Sequence, residues 1–154
     1  MIVTSKPELR APDAATGADL DKFRAAMLRE VDRAAEACRK RYITGGEGQA
    51  MSYLVKVEES RDCVAKYAAG TYTAQSPPPA GTYQVLESEV GTGLTGADVK
   101  AVADVILARR ALWLGIEKQI NALRMAAKRD IAAAATVPAI RAVVAGLNWP
   151  APPA

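Results

Sequence analysis

The sequence predicts an all-α protein, and three observations support this prediction. Apolar residues recur between residues 98 and 135 at gaps that alternate three and four, as along one edge of a helix in a bundle or coiled coil. No proline interrupts this stretch, and Gly115 is its only glycine. Half of the 154 residues are apolar but only 5% are aromatic, which suits close-packed helices better than a β-sandwich. We expect an N-terminal antiparallel helical hairpin, a Pro-rich link, a long coiled-coil-like helix and a short C-terminal helix.

An irregular arm is predicted for residues 1–17, which hold two prolines and few large apolar side chains. The first helix should begin near Ala18, with Thr16 as its cap, and should stop at Gly45. The basic triplet 39–41 near its end is either a phosphate contact or, more simply, a solvated end that suits the helix dipole. A stripe with four-three spacing runs along this helix and consists of Leu20, Arg24, Met27, Val31, Ala34 and Cys38.

The second helix is predicted over residues 47–69. The short glycine-rich connection before it makes the two helices an antiparallel hairpin that spans residues 18–69. Charged residues between positions 58 and 62 interrupt its apolar side, so we expect this hairpin to be weak on its own. The apolar side consists of Met51, Leu54, Val57, Val64 and Tyr67.

The two cysteines, Cys38 and Cys63, are not expected to form a disulfide. In the predicted hairpin they lie about 7 and about 18 residues from the turn, which separates them by roughly 15 Å along the helix axis. That separation is larger than a disulfide can span. Cys38 is better explained as a small core residue.

Residues 70–94 are predicted to be a Pro/Gly-rich link. The segment from Gln75 to Gly81 contains three consecutive prolines and should be extended like polyproline II. This segment is either a recognition motif for an aromatic groove or, more simply, a spacer. Residues 83–90 alternate only partly between apolar and polar, which indicates a short helical turn.

Residues 95–150 are predicted to hold the long helix and the short C-terminal helix, with residues 151–154 as a tail. The expected N-cap of the long helix lies within Thr95 to Asp98. At about 1.5 Å per residue this helix would span roughly 57 Å, so it cannot cover its own apolar edge and needs other helices from this chain or from its copies. We predict self-association through Val102, Ile106, Arg109, Trp113, Ile116, Ile120 and Leu123.

Arg109 is the one polar residue of this apolar edge. It either specifies the register or the oligomeric state at some cost in stability, or it lies where the bundle opens and its charged head reaches water. Both alternatives rest only on the position of Arg109 within the apolar edge.

The last helix has clear end signals. Thr136 should cap it, and Pro138 should lie in its first turn. Gly146 should end it in the left-handed conformation that glycine tolerates, after which Leu147 should pack back onto the helix.

No arrangement of residues in the sequence points to catalysis. There is no histidine, which removes histidine-dependent triads and most zinc sites. The segment from Gly91 to Gly96 lacks the Gly-Lys-Ser/Thr ending of a P-loop and is better explained as a flexible lead-in to the next helix. Glu58 and Glu59 are adjacent, so they point to different sides of a helix and form no acid/base pair. We therefore predict a non-enzymatic protein without catalytic, cofactor-binding or metal-binding residues.

The charge pattern favours neither nucleic acid nor a membrane as a partner. The net charge is +3, and basic and acidic residues are interleaved, whereas a nucleic-acid site usually shows a one-sided basic patch. No apolar run approaches the roughly 18 residues that cross a bilayer. Residues Met1 to Arg10 lack the apolar core of a signal peptide. We expect the chain to be made and kept in a cytosol.

Several short motifs together resemble a known group of proteins. They are RYITGGEGQA at 41–50, YLVKVEE at 53–59, LESEVG at 86–91, TGADV at 95–99, IEKQINALR at 116–124, AKRDIAAAA at 127–135 and VVAGLNWP at 143–150. These motifs are similar to those of small helical proteins found among the virion and tail-fibre-associated genes of tailed bacteriophages. The motifs are capping and packing features, and the resemblance carries over no catalytic residue.

This resemblance implies a non-enzymatic structural component of a tailed bacteriophage virion, in the tail, fibre or capsid-decoration apparatus. Copies would associate as a dimer or trimer through the long helix and would contact other virion proteins, after synthesis in the cytoplasm of the host bacterium. The alternative is a monomeric helical-bundle phage assembly chaperone or host-directed adaptor that is not retained in the particle.

Overall fold

The part of the chain that the structure describes contains five helices. The structure, a computed structural model, describes residues 12–13, 17–42, 47–93 and 95–151. Over these ranges it contains no β-strand, only an isolated bridge within one loop, so the predicted all-α class is confirmed. The helices are α1 (Gly17–Arg39), α2 (Glu47–Ala68), α3 (Gln84–Glu87), α4 (Val99–Ala133) and α5 (Val137–Ala145).

A helix that crosses a bilayer must be both long and predominantly apolar. Within the described ranges, no helix combines the length and the apolar content needed to cross a membrane.

The observed limits of most helices follow the sequence signals. The limits of α2, α4 and α5 closely match the predicted ones, and the short turn predicted over residues 83–90 is the four-residue helix α3. The exception is α1, because it ends at Arg39 and continues only as a turn through Tyr42. Its predicted cap at Thr16 and its predicted stop at Gly45 lie outside the described residues.

The start of α4 confirms a cap within Thr95 to Asp98 and assigns it to one residue of this segment. The Asp98 side chain accepts the backbone N–H of Ala101 at 2.8 Å, so Asp98 is the N-cap residue. The Thr95 hydroxyl instead donates to the carbonyl oxygen of Glu89 at 3.3 Å. Thr95 therefore holds the loop before α4 and does not cap the helix.

The end signals of α5 are confirmed at its start and corrected at its end. Thr136 accepts the backbone N–H of Ala139, and Pro138 lies in the first turn. Gly146 has φ −82°, so the helix does not end in the predicted left-handed conformation. The N–H of Gly146 instead donates to the carbonyl oxygen of Ala142. Leu147 does pack against the neighbouring core, as predicted.

The chain divides into two compact units. The first unit comprises residues 1–43 and 116–154, and the second comprises residues 44–115. The boundary falls within α4, so each half of this helix belongs to a different unit.

The core of the first unit is built from α1, the C-terminal part of α4, and α5. Its main cluster consists of Phe23, Ala26, Met27, Val31, Ala127, Ile131, Val137 and Ile140. A smaller cluster joins Ala35 and Cys38 of α1 to Ile120 of α4, with Trp149 packed against it. The C-terminal segment after α5 therefore covers part of this core.

The core of the second unit is built from α2, the segment after it, and the N-terminal part of α4. It consists of Val57, Cys63, Tyr83, Leu86, Val102, Ala103 and Ile106. Tyr72 and Val90, from the predicted link, pack against this cluster. Helices α1 and α2 thus each pack against part of α4. The predicted pairing of α1 with α2 stays a prediction.

Candidate interaction surface

The seven residues predicted for self-association differ in their exposure. Val102 and Ile106 are buried in the core of the second unit, and Ile120 is buried in the first. These three side chains contact other residues of their own chain. Trp113, Ile116 and Leu123 are half-buried and Arg109 is exposed. For all seven residues a role in self-association stays a prediction.

Other large apolar side chains are exposed to solvent. Leu112 is 71% exposed and Met51 is 65% exposed. Five of the six exposed large apolar side chains found in the described ranges belong to the second unit, and Met125 alone belongs to the first. The six are Met51, Leu54, Val55, Leu112, Leu114 and Met125.

Three of these side chains share one side of α2 with a carboxylate. Met51, Leu54 and Glu58 follow each other at gaps of three and four residues, and Val55 lies beside them, so all four lie on neighbouring turns. We call these four exposed residues the α2 face. Glu58 forms no hydrogen bond or ion pair with the rest of the described chain. The α2 face is therefore apolar with one acidic group.

The other charged residues in the middle of α2 hold the segment that follows it. Glu59 accepts the backbone N–H groups of Val85 at 3.1 Å and Leu86 at 3.0 Å. These donors belong to the first turn of α3, which has no acceptors of its own for them. Glu59 thus acts as a cap for α3 from another helix.

Asp62 holds the same segment through a buried tyrosine. The hydroxyl of Tyr83 donates to Asp62 at 2.6 Å, and Lys66 forms an ion pair with Asp62 at 2.9 Å. These contacts lower the pKa of Asp62, with Lys66 as the largest cause and Tyr83 as the next. The pKa of Tyr83 is raised, mainly by burial and also by Asp62. Tyr83 therefore stays a neutral hydrogen-bond donor.

The C-terminal part of the predicted Pro-rich link is also held by hydrogen bonds and an ion pair. Glu87 accepts the N–H groups of Gly81 and Tyr83, and Lys56 of α2 forms an ion pair with Glu89. Residues 79–82 form a turn in which the Thr82 N–H donates to the Pro79 carbonyl, and Gly81 has φ +84°. Contacts within the segment fix its turn, and the ion pair from α2 holds the segment against that helix.

Charged residues also join α1 to α4 inside the first unit. Arg39 forms two hydrogen bonds with Glu117 at 2.8 and 2.9 Å. Asp32 accepts from Arg124 at 2.6 Å and from Lys128 at 2.8 Å. The basic triplet 39–41 is therefore only partly a solvated helix end.

The C-terminus of α4 receives a cation from α1. The Arg24 guanidinium donates to the carbonyl oxygens of Ile131 at 3.3 Å and Ala134 at 2.8 Å. The last carbonyls of a helix lack partners within the helix and carry the negative end of its dipole. This contact explains a charged residue within the apolar stripe of the first helix.

Four cations on the outer side of α1 remain exposed. Lys22, Arg29, Arg33 and Lys40 lie seven, four and seven residues apart, so they share one side of the helix, and all four are exposed. We call them the α1 face. Arg33 pairs with Glu30 at 2.7 Å. The other three form no ion pair within the described ranges.

The described residues were compared with the requirements of a metal site and of a ligand pocket. No set of three or more potential metal ligands is found among them. An open concavity of about 370 Å³ is lined by Gly91, Gly93, Thr95, Gly96 and Ala97. Its lining carries no charged side chain, and the nearby N-terminus of α4 is already occupied by the Asp98 carboxylate.

Both cysteines are buried free thiols. Burial raises the pKa of the Cys63 thiol, which disfavours the reactive thiolate. The Cys38 thiol donates to the carbonyl oxygen of Pro150 at 3.5 Å.

The α2 face was not predicted, because the spacing of Met51 and Leu54 places them on the apolar side of the expected hairpin. Leu112 and Leu114, which lie outside the three-four spacing of α4, were not predicted either. The available signal was that Leu112 and Leu114 lie beside the apolar edge of α4 and are not needed to complete it.

Comparison with family models, with curated proteins and with solved structures finds no match to this chain.

Proposed function

We propose that this chain is a non-enzymatic structural component of a tailed bacteriophage virion that self-associates and contacts neighbouring virion proteins. A place in the tail, fibre or capsid-decoration apparatus fits this role. The motifs that resemble phage virion proteins support the assignment to a virion. The exposed apolar side chains of the second unit are the observation that carries the proposed self-association.

Exposed apolar groups of this kind need a physical explanation. Single surface leucines are ordinary, but a concentration of large apolar side chains in one part of a protein marks an interaction site. Covering such groups removes apolar area from water, which is favourable by about 25 cal/mol per Å² before the costs of association are subtracted. Met51 and Leu112 are the most exposed of the set, so they would gain most from a partner.

The proposed association involves a part of the long helix other than the buried edge. Leu112 and Leu114 are exposed in the middle of α4, and Trp113 between them is half-buried. Aromatic side chains with apolar neighbours are common anchors of interfaces. A dimer or a trimer would satisfy this arrangement.

Size-exclusion chromatography with light scattering tests the self-association. The wild-type chain should elute as an oligomer, and Leu112→Glu should shift it toward the monomer because a carboxylate cannot be covered by an apolar partner. Met125→Glu is the control, since Met125 is also a large apolar residue and is 54% exposed but lies in the first unit. A wild-type chain that stays monomeric at high concentration would contradict the proposal.

Mass spectrometry of purified phage particles tests the place in the virion. Peptides of this chain should be present at a constant ratio to known tail or capsid proteins. Their absence from particles, together with a monomeric wild-type chain, would favour the assembly chaperone or host-directed adaptor instead.

A further inference from the structure

We infer that copies of this chain associate by packing the α1 face of one copy against the α2 face of another. This inference rests on the proposed self-association, and it names two of the surfaces that meet. The two surfaces consist of four exposed cations on α1, and of three apolar side chains with Glu58 on α2.

The two units carry opposite charge. The first unit contains 14 Lys and Arg residues against 9 Asp and Glu residues, and the second contains 6 against 8, which together make up the 20 and 17 of the chain. Each copy therefore has one unit with a net positive charge and one with a net negative charge. Charge of opposite sign on two surfaces speeds encounter and sets which surfaces meet.

Several exposed cations of α1 are not used inside the first unit. Other charged groups of this helix, such as Asp32 and Arg39, are used inside the first unit. Lys22, Arg29 and Lys40 form no ion pair with the described residues. These side chains are thus available for a partner with exposed carboxylates.

The α2 face matches such a surface in two ways. Glu58 supplies a carboxylate without a described partner, and Met51, Leu54 and Val55 supply apolar area. Lysine and arginine side chains cover apolar groups with their methylene stems while the charged head reaches a neighbouring anion. The α1 face can therefore both cover the apolar side chains of the α2 face and form an ion pair with Glu58.

A second copy fits the α1 face better than nucleic acid does. Asp19, Asp21 and Glu36 are exposed acidic residues of the same helix. Because acidic and basic residues alternate along it, α1 lacks the one-sided basic surface typical of a nucleic-acid site. Nucleic acid would also leave the apolar part of the α2 face uncovered. Because the two faces differ, the contact can repeat from copy to copy, which produces a ring or a filament.

A charge-swap experiment tests the inference on the full chain. Arg29→Glu/Arg33→Glu reverses the α1 face, and Glu58→Arg reverses the charge of the α2 face. Each variant alone should associate about tenfold or more weakly than the wild type in sedimentation equilibrium, because like charges then meet. An equimolar mixture of the two variants should recover association, because opposite charges meet again across one contact.

The control is Lys118→Glu/Arg129→Glu, which changes the net charge equally at exposed positions of α4. It should associate like the wild type. Circular dichroism melting curves of all variants establish that they are folded. All residues changed are exposed, so no core is altered.

The outcomes separate this inference from the proposed function. A monomeric wild-type chain overturns both. A wild-type oligomer that neither reversal weakens, or two weakened variants whose mixture does not recover, overturns only the packing of α1 on α2. If Arg29→Glu/Arg33→Glu leaves the oligomer intact but abolishes binding to a DNA duplex that the wild type binds, the α1 face is a nucleic-acid site and the inference is overturned.

Discussion

Two adjacent glutamates of α2 show how position decides the role of a residue. Glu59 accepts two backbone N–H groups from α3, whereas Glu58 faces solvent without a described partner. Both are carboxylates with the same helix propensity. Adjacent residues on a helix point in directions about 100° apart, so only one of them reaches the segment packed against α2.

We predict that Glu59→Gln destabilises the protein by about 1–3 kcal/mol, because a charged acceptor of two buried donors is replaced by a neutral one. Glu58→Gln should change the stability by less than about 0.5 kcal/mol. Urea denaturation of the two variants measures this difference. Equal effects would mean that Glu59 does not cap α3 in solution.

Asp32 is expected to make stability depend on pH. Its pKa is lowered from the ordinary 3.8, with the hydrogen bond from Lys128 as the largest cause and that from Arg124 also contributing. A carboxylate with a lowered folded-state pKa adds stability above its unfolded pKa and loses it as the pH falls through the folded value. Asp32→Asn should therefore be less stable than the wild type at pH 7.

The gap between Asp32→Asn and the wild type should close as the pH falls below about 3.8. Denaturation midpoints measured at several pH values between neutral and acidic conditions provide the comparison. A gap that stays constant over this range would show that the ionised form of Asp32 is not the stabilising species.

At the scale of elements, two glycines have opposite consequences for stability. Gly81 adopts φ +84° in the turn before α3, a conformation that other residues adopt only with strain. Gly115 lies inside α4, and a Cβ atom there would meet nothing within 4 Å. The turn therefore requires the glycine at position 81, whereas the glycine at position 115 lowers the stability of α4.

Gly81→Ala should destabilise the protein by about 1 kcal/mol, and Gly115→Ala should stabilise it by about 0.5–1 kcal/mol because alanine has a higher helix propensity. Thermal melts of the two variants should shift in opposite directions. A loss of stability in Gly115→Ala would mean that α4 departs from a regular helix at this residue.

At the scale of the whole molecule, two hydrophobic cores form within one chain. Ile106 is buried in the core of the second unit and Ile140 in the core of the first. The two side chains share no neighbour in these clusters. Each core therefore loses stability independently when its own side chain is shortened.

Ile106→Val and Ile140→Val should each cost about 0.5–1.5 kcal/mol, and their effects should add to within about 0.5 kcal/mol in the double variant. Denaturant unfolding of the four proteins of this cycle provides the test. A coupling above about 1 kcal/mol would show that the two cores form one cooperative network.

Sequence reasoning located most helices because their signals are local. Thr136 and Ala139, which cap α5, are three residues apart, and the same separation joins Asp98 to Ala101 at α4. The surface was harder to predict. Met51 and Leu54 have the spacing of core residues, and their exposure depends on which other segments pack on α2.

The sequence by itself determined the all-α class, the positions of the helices and the lack of histidine chemistry, because these depend on composition and on contacts within a few residues. Only the tertiary structure decided which apolar edge of α4 is covered and which charges are used internally. Arg39 and Glu117 are 78 residues apart, and Glu59 and Leu86 are 27 apart. No local pattern encodes such pairs, because they form only when distant segments pack together.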